Sequence, residues 1–237
     1  MKKREVCQTT ACVVHACSAC VNAARSLFSE NKLTAIELYG FSPIIQSQLL
    51  LSGGYFISDT ILLASFPANY LMAVDDKKDN PPTGRPFQFV VHHIMCLIPI
   101  ALVLKNPIAQ WFMAMRFLTE VPNIVLNSML LLDLFQFHRD PVFFLFNDLL
   151  FFTFLAVRPI TVFQIWKGTL HHMKTPEFYA LDWPVLIFWV GCGAVLDILN
   201  VQWTIEMANG EITFIRLHLK PCLLDFFKRR LKPKKAE

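Results

Sequence analysis

Residues 87–104 read FQFVVHHIMCLIPIALVL, an apolar stretch that contains two adjacent histidines, His92 and His93. A helix of about 20 apolar residues crosses the roughly 30 Å hydrocarbon layer of a bilayer. Ionisable side chains are costly at that depth and usually face a protein-lined cavity. The stretch therefore predicts a membrane-spanning helix that turns a polar group towards the interior of a bundle.

Five further apolar stretches accompany it, at residues 6–28, 46–74, 108–135, 142–166 and 183–207. Of the 237 residues, 54% are hydrophobic and 17% are charged, whereas an ordinary soluble protein has about 25% charged residues. We predict an all-α, multi-pass transmembrane helical bundle of about six spans. There would be five if the first stretch, the least hydrophobic, lies at the interface. The residues Lys105, Asn106 and Pro107 predict a tight hairpin between the third and fourth spans.

The Lys and Arg residues indicate the orientation of the chain. With six spans, 15 of them lie on the side of both termini and 5 on the opposite side. Because cytosolic loops carry the excess of positive charge, both termini are expected in the cytosol. We divide the chain into a segment at 1–45 with a possible first helix, a transmembrane domain at 46–210 and a basic cytosolic tail at 211–237. The basic flanks are expected to contact lipid head groups, not nucleic acid.

The C-terminal tail contains a possible localisation signal. Lys234 and Lys235 occupy the fourth- and third-last positions, where lysines form a dilysine retrieval signal that coat proteins recognise in the cytosol. The alternative is a generic basic tail that is attracted to anionic lipid. The retrieval interpretation predicts a protein of the endoplasmic reticulum membrane.

Strongly polar residues recur inside five of the six stretches. Arg116 and Glu120 are spaced i, i+4 and can pair on one helix face, and Asp197 and Asn200 share a face at i, i+3. Pro122 follows Glu120 and predicts a kink. The residues expected to line a polar intramembrane cavity are Asp59, Arg116, Glu120, Asn123, Arg158, Asp197 and Asn200. The alternative is that these groups only bond to one another and hold the bundle together.

The two histidines of the third stretch point about 100° apart on a helix, so they cannot both face one point. One of them, His92 or His93, is expected to face the cavity as a general base, while the other orients it or meets a neighbour. The alternative places both at the membrane interface. A second pair, His171 and His172, lies in a polar loop and is expected to be solvated.

Metal and cofactor chemistry is not indicated. The four cysteines of the first stretch match no standard zinc spacing and are expected to pack as small apolar side chains: Cys7, Cys12, Cys17 and Cys20. No carboxylate stands at i+3 or i+4 from the His92–His93 pair. We therefore expect no metal and no resident cofactor.

Four segments resemble the TLC-domain family, which includes the ceramide synthases, the translocating-chain-associated membrane proteins and smaller lipid-homeostasis proteins. They are GYFISD at 54–59, VHH at 91–93, RFLTEVPN at 116–123 and LNVQW at 199–203. Arg158 also fits the family pattern. The resemblance covers about residues 46–210, and the order and spacing of the segments carry it.

The resemblance implies a helical bundle of the endoplasmic reticulum with an interior that accommodates lipid. In ceramide synthases the double histidine is associated with acyl transfer from acyl-coenzyme A to a sphingoid base. The synthase pattern continues with a further His-Asp and more acidic residues, whereas residues 127–133 here contain one acidic residue and no histidine. The chain is thus more similar to the smaller, non-synthase members.

Three functions follow as hypotheses. The first is a role in membrane lipid homeostasis, with sphingolipids as one candidate class, in which the cavity binds or senses a lipid. The second is N-acyl transfer to a long-chain amine with acyl-coenzyme A as co-substrate, in which His92 or His93 is the base and Arg116 or Arg158 holds phosphates or an oxyanion. The third is an adaptor or cargo protein whose loops recruit partners.

Overall fold

The computed structural model describes residues 2–29, 33–65, 85–137 and 140–214, and within these ranges the regular secondary structure is helical. The helices are α1 (Lys2–Phe28), α2 (Pro43–Ser65), α3 (Arg85–Lys105), α4 (Gln110–Leu118), α5 (Val121–Leu134), α6 (Pro141–His172), α7 (Pro176–Tyr179) and α8 (Trp183–Phe214). The predicted all-α bundle is confirmed.

Five segments of the described chain are long and apolar enough to cross a membrane. They are Glu5–Phe28, Gln88–Lys105, Gln110–Leu134, Pro141–His172 and Trp183–Gly210. The first stretch, which the sequence left open, is one of the five. The described part of the predicted second span, α2, is not among them. It is 23 residues long, and buried polar residues on it, among them Gln48 and Asp59, lower its apolar character.

The larger helices close into a ring. α1 packs against α2, α2 against α3, α3 against α8, α8 against α6, α6 against α5, and α5 returns to α1. Inside this order α4 contacts α1, α6 and α2. Ala19 and Ala23 of α1 are fully buried in one core cluster with Phe112 and Phe117 of α4. Small side chains let helix backbones approach closely, which is how helices in membranes gain van der Waals contact.

A ladder of polar contacts joins α1 to α2 along most of their length. From one end to the other, the pairs are Gln8–Asp59 (2.8 Å), Cys12–Tyr55 (3.1 Å), His15–Ser52 (3.0 Å), Asn22–Gln48 (2.8 Å) and Ser26–Ser42 (3.0 Å). His15 also stacks on the Tyr55 ring, with 4.0 Å between the centroids. Because polar groups in an apolar layer need partners, the ladder sets the register of the two antiparallel helices.

The helices are interrupted at two places where the sequence predicts a turn or a kink. The α3–α4 connection is short, residues 106–109, and the Asn106 amide donates to the Leu102 carbonyl at 2.9 Å. The helix pair α4–α5 is interrupted at Thr119 and Glu120, and Pro122 lies in the first turn of α5. In the first turn of a helix the backbone N–H groups have no acceptor within the helix. A proline there, which lacks the N–H, therefore removes no hydrogen bond. The predicted kink is confirmed.

We call the end of the bundle at which α3 joins α4 the hairpin end. A segment between α1 and α2 closes over it. There the Ala109 amide donates to the Leu38 carbonyl at 2.7 Å, and the His172 Nε2 lies 2.8 Å from the Ala35 carbonyl oxygen. His172 is only 3% exposed, so its predicted solvation is wrong. His171 is exposed, as expected.

Candidate functional site

The helices enclose an elongated cavity between α3, α4, α6 and α8, with Phe56 of α2 at its side. The volume of the cavity is about 1160 Å³, which includes the part that is open to the outside. On α8 the lining runs from Val185 to Asn200, a distance of about 22 Å at the helical rise of 1.5 Å per residue. The lining therefore extends over a length comparable to that of an extended hydrocarbon chain.

Most of the wall is apolar. From the hairpin end the side chains that line it include Val103, Phe112, Met113, Trp189 and Leu196. The rings of Phe112 and Trp189 contact each other at 4.6 Å between centroids. Such a wall offers dispersion contacts and excludes water, which suits a hydrocarbon ligand.

Arg158 stands at the other end of the cavity, with 5% of the residue exposed. Its Nη1 donates to the Asn200 Oδ1 in a short hydrogen bond, and its Nη2 donates to the Asn123 Oδ1 at 3.2 Å. The guanidinium carbon lies 4.2 Å from the centroid of the Phe154 ring and 5.5 Å from that of Trp203. A guanidinium held by two amides and two rings keeps its geometry fixed.

The Nε of Arg158 is buried and makes no hydrogen bond within the described residues. An unpaired buried donor is unfavourable by about 1–3 kcal/mol, more when it is charged. This donor lies on a residue that lines the cavity. Because the Nε is itself closed off, a ligand in the cavity would meet the Nη groups of Arg158, each of which keeps a second hydrogen without a partner among the described residues.

His92 lines the cavity and its neighbour does not. The Nδ1 of His92 is buried and has no hydrogen-bond partner in the described part of the chain, while its Nε2 lies 3.7 Å from the Cys96 sulfur. The ring contacts Trp203, with 5.2 Å between centroids, so Trp203 touches both His92 and Arg158. We call the group of His92, Glu120, Asn123, Arg158 and Asn200 the polar end.

His93 points to α2, as the 100° separation of adjacent helical residues requires. Its Nε2 lies 3.5 Å from the Asp59 Oδ2, and its Nδ1 lies 3.2 Å from the Thr60 hydroxyl. His93 is 6% exposed and Asp59 is 5% exposed. The structure thus places one histidine of the pair at the cavity and the other against α2.

Arg116 pairs with Asp197 of α8 and not with Glu120. Both Nη atoms of Arg116 donate to the Asp197 carboxylate, one in a short bond and the other at 3.0 Å. The Trp166 Nε1 donates to the same carboxylate at 2.6 Å. The predicted pair on one helix face is wrong, because the helix is interrupted at Thr119 and Glu120.

Glu120 belongs to the polar end. One of its oxygens accepts a hydrogen bond from the Asn123 Nδ2 at 2.7 Å, and Asn123 in turn accepts from Arg158. The amide of Asn123 therefore links the carboxylate to the guanidinium.

Of the nine residues proposed for the site from the sequence, five line the cavity: His92, Arg116, Glu120, Arg158 and Asn200. The other four contact them or stand behind them: Asp59, His93, Asn123 and Asp197. Lys234 and Lys235 of the tail lie outside the described residues.

Sequence reasoning missed the aromatic side chains of the wall and the ladder between α1 and α2. Phe112 and Trp189 carry no local signal that separates a cavity wall from a lipid-facing surface. The sequence does contain a signal for the ladder. Gln8, His15 and Asn22 recur every seven residues, and this spacing places them on one face of a helix.

The chain matches the family model described as TLC domain over residues 5–209. Among curated proteins it is similar to TLC domain-containing protein 4-B of Xenopus laevis, with 24% identity over 186 residues, which are 78% of this chain and 65% of the relative. The protein of the same name from Danio rerio is 22% identical over 82% of this chain and 69% of its own length.

The match to the Xenopus relative thus spans slightly less than two thirds of that protein. No solved structure matches the chain. The family match begins within α1, and the names of the relatives agree with the smaller, non-synthase members. The matched range holds five long apolar helices and all nine proposed site residues, and the chain therefore belongs to the TLC-domain family of multi-pass membrane proteins.

Proposed function

We propose that this protein binds a lipid in its cavity, with the hydrocarbon chain along the apolar wall and the head group at the polar end. The observation that carries the proposal is the combination of a long apolar wall with buried, unpaired nitrogens on Arg158 and His92. Binding sites are typically apolar with a few convergent polar groups that fix orientation.

We place this binding in membrane lipid homeostasis at the endoplasmic reticulum, with sphingolipids as one candidate class. The support is membership of the TLC-domain family, the dilysine at Lys234 and Lys235 and the positive charge of the predicted cytosolic side. Coat-protein recognition of the tail belongs to the same proposal. Its test is the location of a tagged protein with and without the double change Lys234→Ala/Lys235→Ala.

The binding proposal is tested by photolabelling. The probe is hexadecanol with a diazirine near its methyl end, added to the purified protein in detergent. We expect labelling of wall residues such as Phe112 and Trp189. Cys192→Phe places a ring in the cavity, because Cys192 lines it and is 3% exposed, and we expect it to reduce labelling several-fold.

The matched control is Ile198→Phe on the same helix, where the side chain is 67% exposed. It should label like the native protein. Labelling that is confined to outward-facing residues, or that is the same in both variants, would refute a binding site in the cavity.

A second candidate function is acyl transfer, and the position of His92 favours it. Its imidazole lines the cavity and has an unpaired Nδ1, so it is placed to take a proton from an amine or hydroxyl. Arg116 is occupied by Asp197, which leaves Arg158 as the cation at the polar end. The adaptor alternative depends on loops and a tail that lie largely outside the described residues.

The two histidines make this candidate testable. The assay supplies acyl-coenzyme A and a labelled long-chain base to the purified protein. Turnover that is lost in His92→Ala and reduced in His93→Ala would support transfer with His92 as the base. Absence of turnover in the native protein would refute it.

A further inference from the structure

The charges on the cavity wall balance. Among the described residues that line it, the charged ones are Arg116, Arg158 and Glu120, and Arg116 is paired with Asp197 outside the lining. The sum over these four groups is zero. The polar end keeps one guanidinium and one carboxylate, and they are linked through the amide of Asn123.

Both charged groups have hydrogen-bonding capacity that the protein leaves unused. Nη1 and Nη2 of Arg158 each donate one hydrogen, and no hydrogen bond joins the second hydrogen of either nitrogen to a described residue. One oxygen of Glu120 bonds to Asn123, and no hydrogen bond joins the other oxygen to any described residue. A ligand head at this place thus meets a fixed donor beside a fixed acceptor.

An anionic head group would meet an obstacle here. Its attraction to Arg158 is opposed by repulsion from Glu120, so the site offers little net attraction to offset the loss of its hydration. A cationic head group is attracted by Glu120 but repelled by the guanidinium of Arg158. A neutral head that both accepts and donates satisfies the two groups without disturbing their balance.

From this geometry we infer that the ligand has an uncharged head that carries both a hydrogen-bond acceptor and a donor, such as a primary amide or an alcohol, and that Glu120 excludes anionic heads. The acceptor oxygen takes a hydrogen bond from an Nη of Arg158, and the donor hydrogen is given to the Glu120 carboxylate. The inference rests on the proposed lipid binding and adds the chemical class of the head and the residue that selects it.

The test compares ligands that share one chain. Oleamide, oleyl alcohol, oleate and oleoyl lysophosphatidate compete with the hexadecanol photoprobe for the purified protein in a neutral detergent at pH 8. We expect oleamide and oleyl alcohol to compete at least about tenfold better than the two anions, because an anion leaves water for a site whose charges already balance and nothing there offsets the loss of its hydration.

Glu120→Gln keeps the shape and the acceptor for Asn123 but leaves Arg158 unbalanced. We expect this variant to bind oleate and lysophosphatidate about tenfold or more tightly than the native protein does. Arg158→Gln is the reciprocal variant and should gain affinity for oleylamine. The control is Glu177→Gln, an exposed residue in the segment between α6 and α8, which should leave the order of the ligands unchanged.

The outcomes separate this inference from the binding proposal. If the probe labels the cavity but the four ligands compete equally, or the anions compete best in the native protein, the head-group inference is overturned while lipid binding stands. If the probe does not label the cavity of the native protein at all, both are overturned. The order of the ligands in the native protein decides the matter even if the variants do not fold.

Discussion

Asp197→Asn is expected to destabilise the bundle strongly, because it removes the negative partner of Arg116. The carboxylate accepts both Nη atoms of Arg116 and the Trp166 Nε1, and the two side chains are 17% and 12% exposed. Asparagine has nearly the same shape, so packing is preserved. The change therefore isolates the charge that ties α4 and α6 to α8.

The magnitude follows from the geometry. Unit charges about 3 Å apart attract by roughly 5 kcal/mol at an effective dielectric constant of 20. The variant does not lose all of this attraction energy, because residual water and the asparagine oxygen solvate the Arg116 guanidinium. Loss of one partner of a largely buried pair typically costs about 3–5 kcal/mol, and we expect about 3 kcal/mol. In a chain of this size that lowers Tm by about 6–12 °C.

The assay is thermal unfolding in detergent, followed by tryptophan fluorescence, with exposed Asp182→Asn as the control. The double variant Arg116→Met/Asp197→Leu replaces the pair by apolar side chains and should be more stable than Asp197→Asn alone. If Asp197→Asn unfolds within 1–2 °C of the native protein, or Arg116→Met and Asp197→Leu combine additively, the two residues do not act as a pair.

Three further predictions concern other parts of the bundle. Gly168→Ala should move the Phe112 ring, which lies 3.1 Å from the position of the added methyl, and should reduce photolabelling at the hairpin end more than it lowers Tm. His172→Ala should lower the free energy of unfolding by about 1–3 kcal/mol, because the buried contact with the Ala35 carbonyl is lost. The same change at exposed His171 should alter it by no more than about 0.5 kcal/mol in the same assay. Asp59→Asn should lower Tm by loosening the contact between α2 and α3, and an unchanged Tm would contradict this.

The helices were largely predictable because hydropathy and proline act locally. The stretches at 87–104 and 183–207 fall within α3 and α8, and the break before Pro122 follows from the chemistry of proline. The pattern also placed Arg158 and Asn200 inside the bundle, since charges at that depth seek the interior.

The partners of the buried groups were not predictable from spacing. Arg116 pairs with a residue that is 81 positions away, although Glu120 stands at the favourable i+4 spacing. Which helices become neighbours decides such pairings, and one sequence does not contain that information. The same holds for His172, whose partner Ala35 is 137 positions away.

The most direct test of the central claim is native mass spectrometry of the protein extracted from its own membrane in mild detergent. The account predicts a lipid adduct on the native protein and on Ile198→Phe, and its loss from Cys192→Phe, because only the last variant fills the cavity. The mass of the adduct would also identify the bound lipid and thereby the class of its head group. Equal adducts on all three proteins, or none on the native protein, would contradict lipid binding in the cavity.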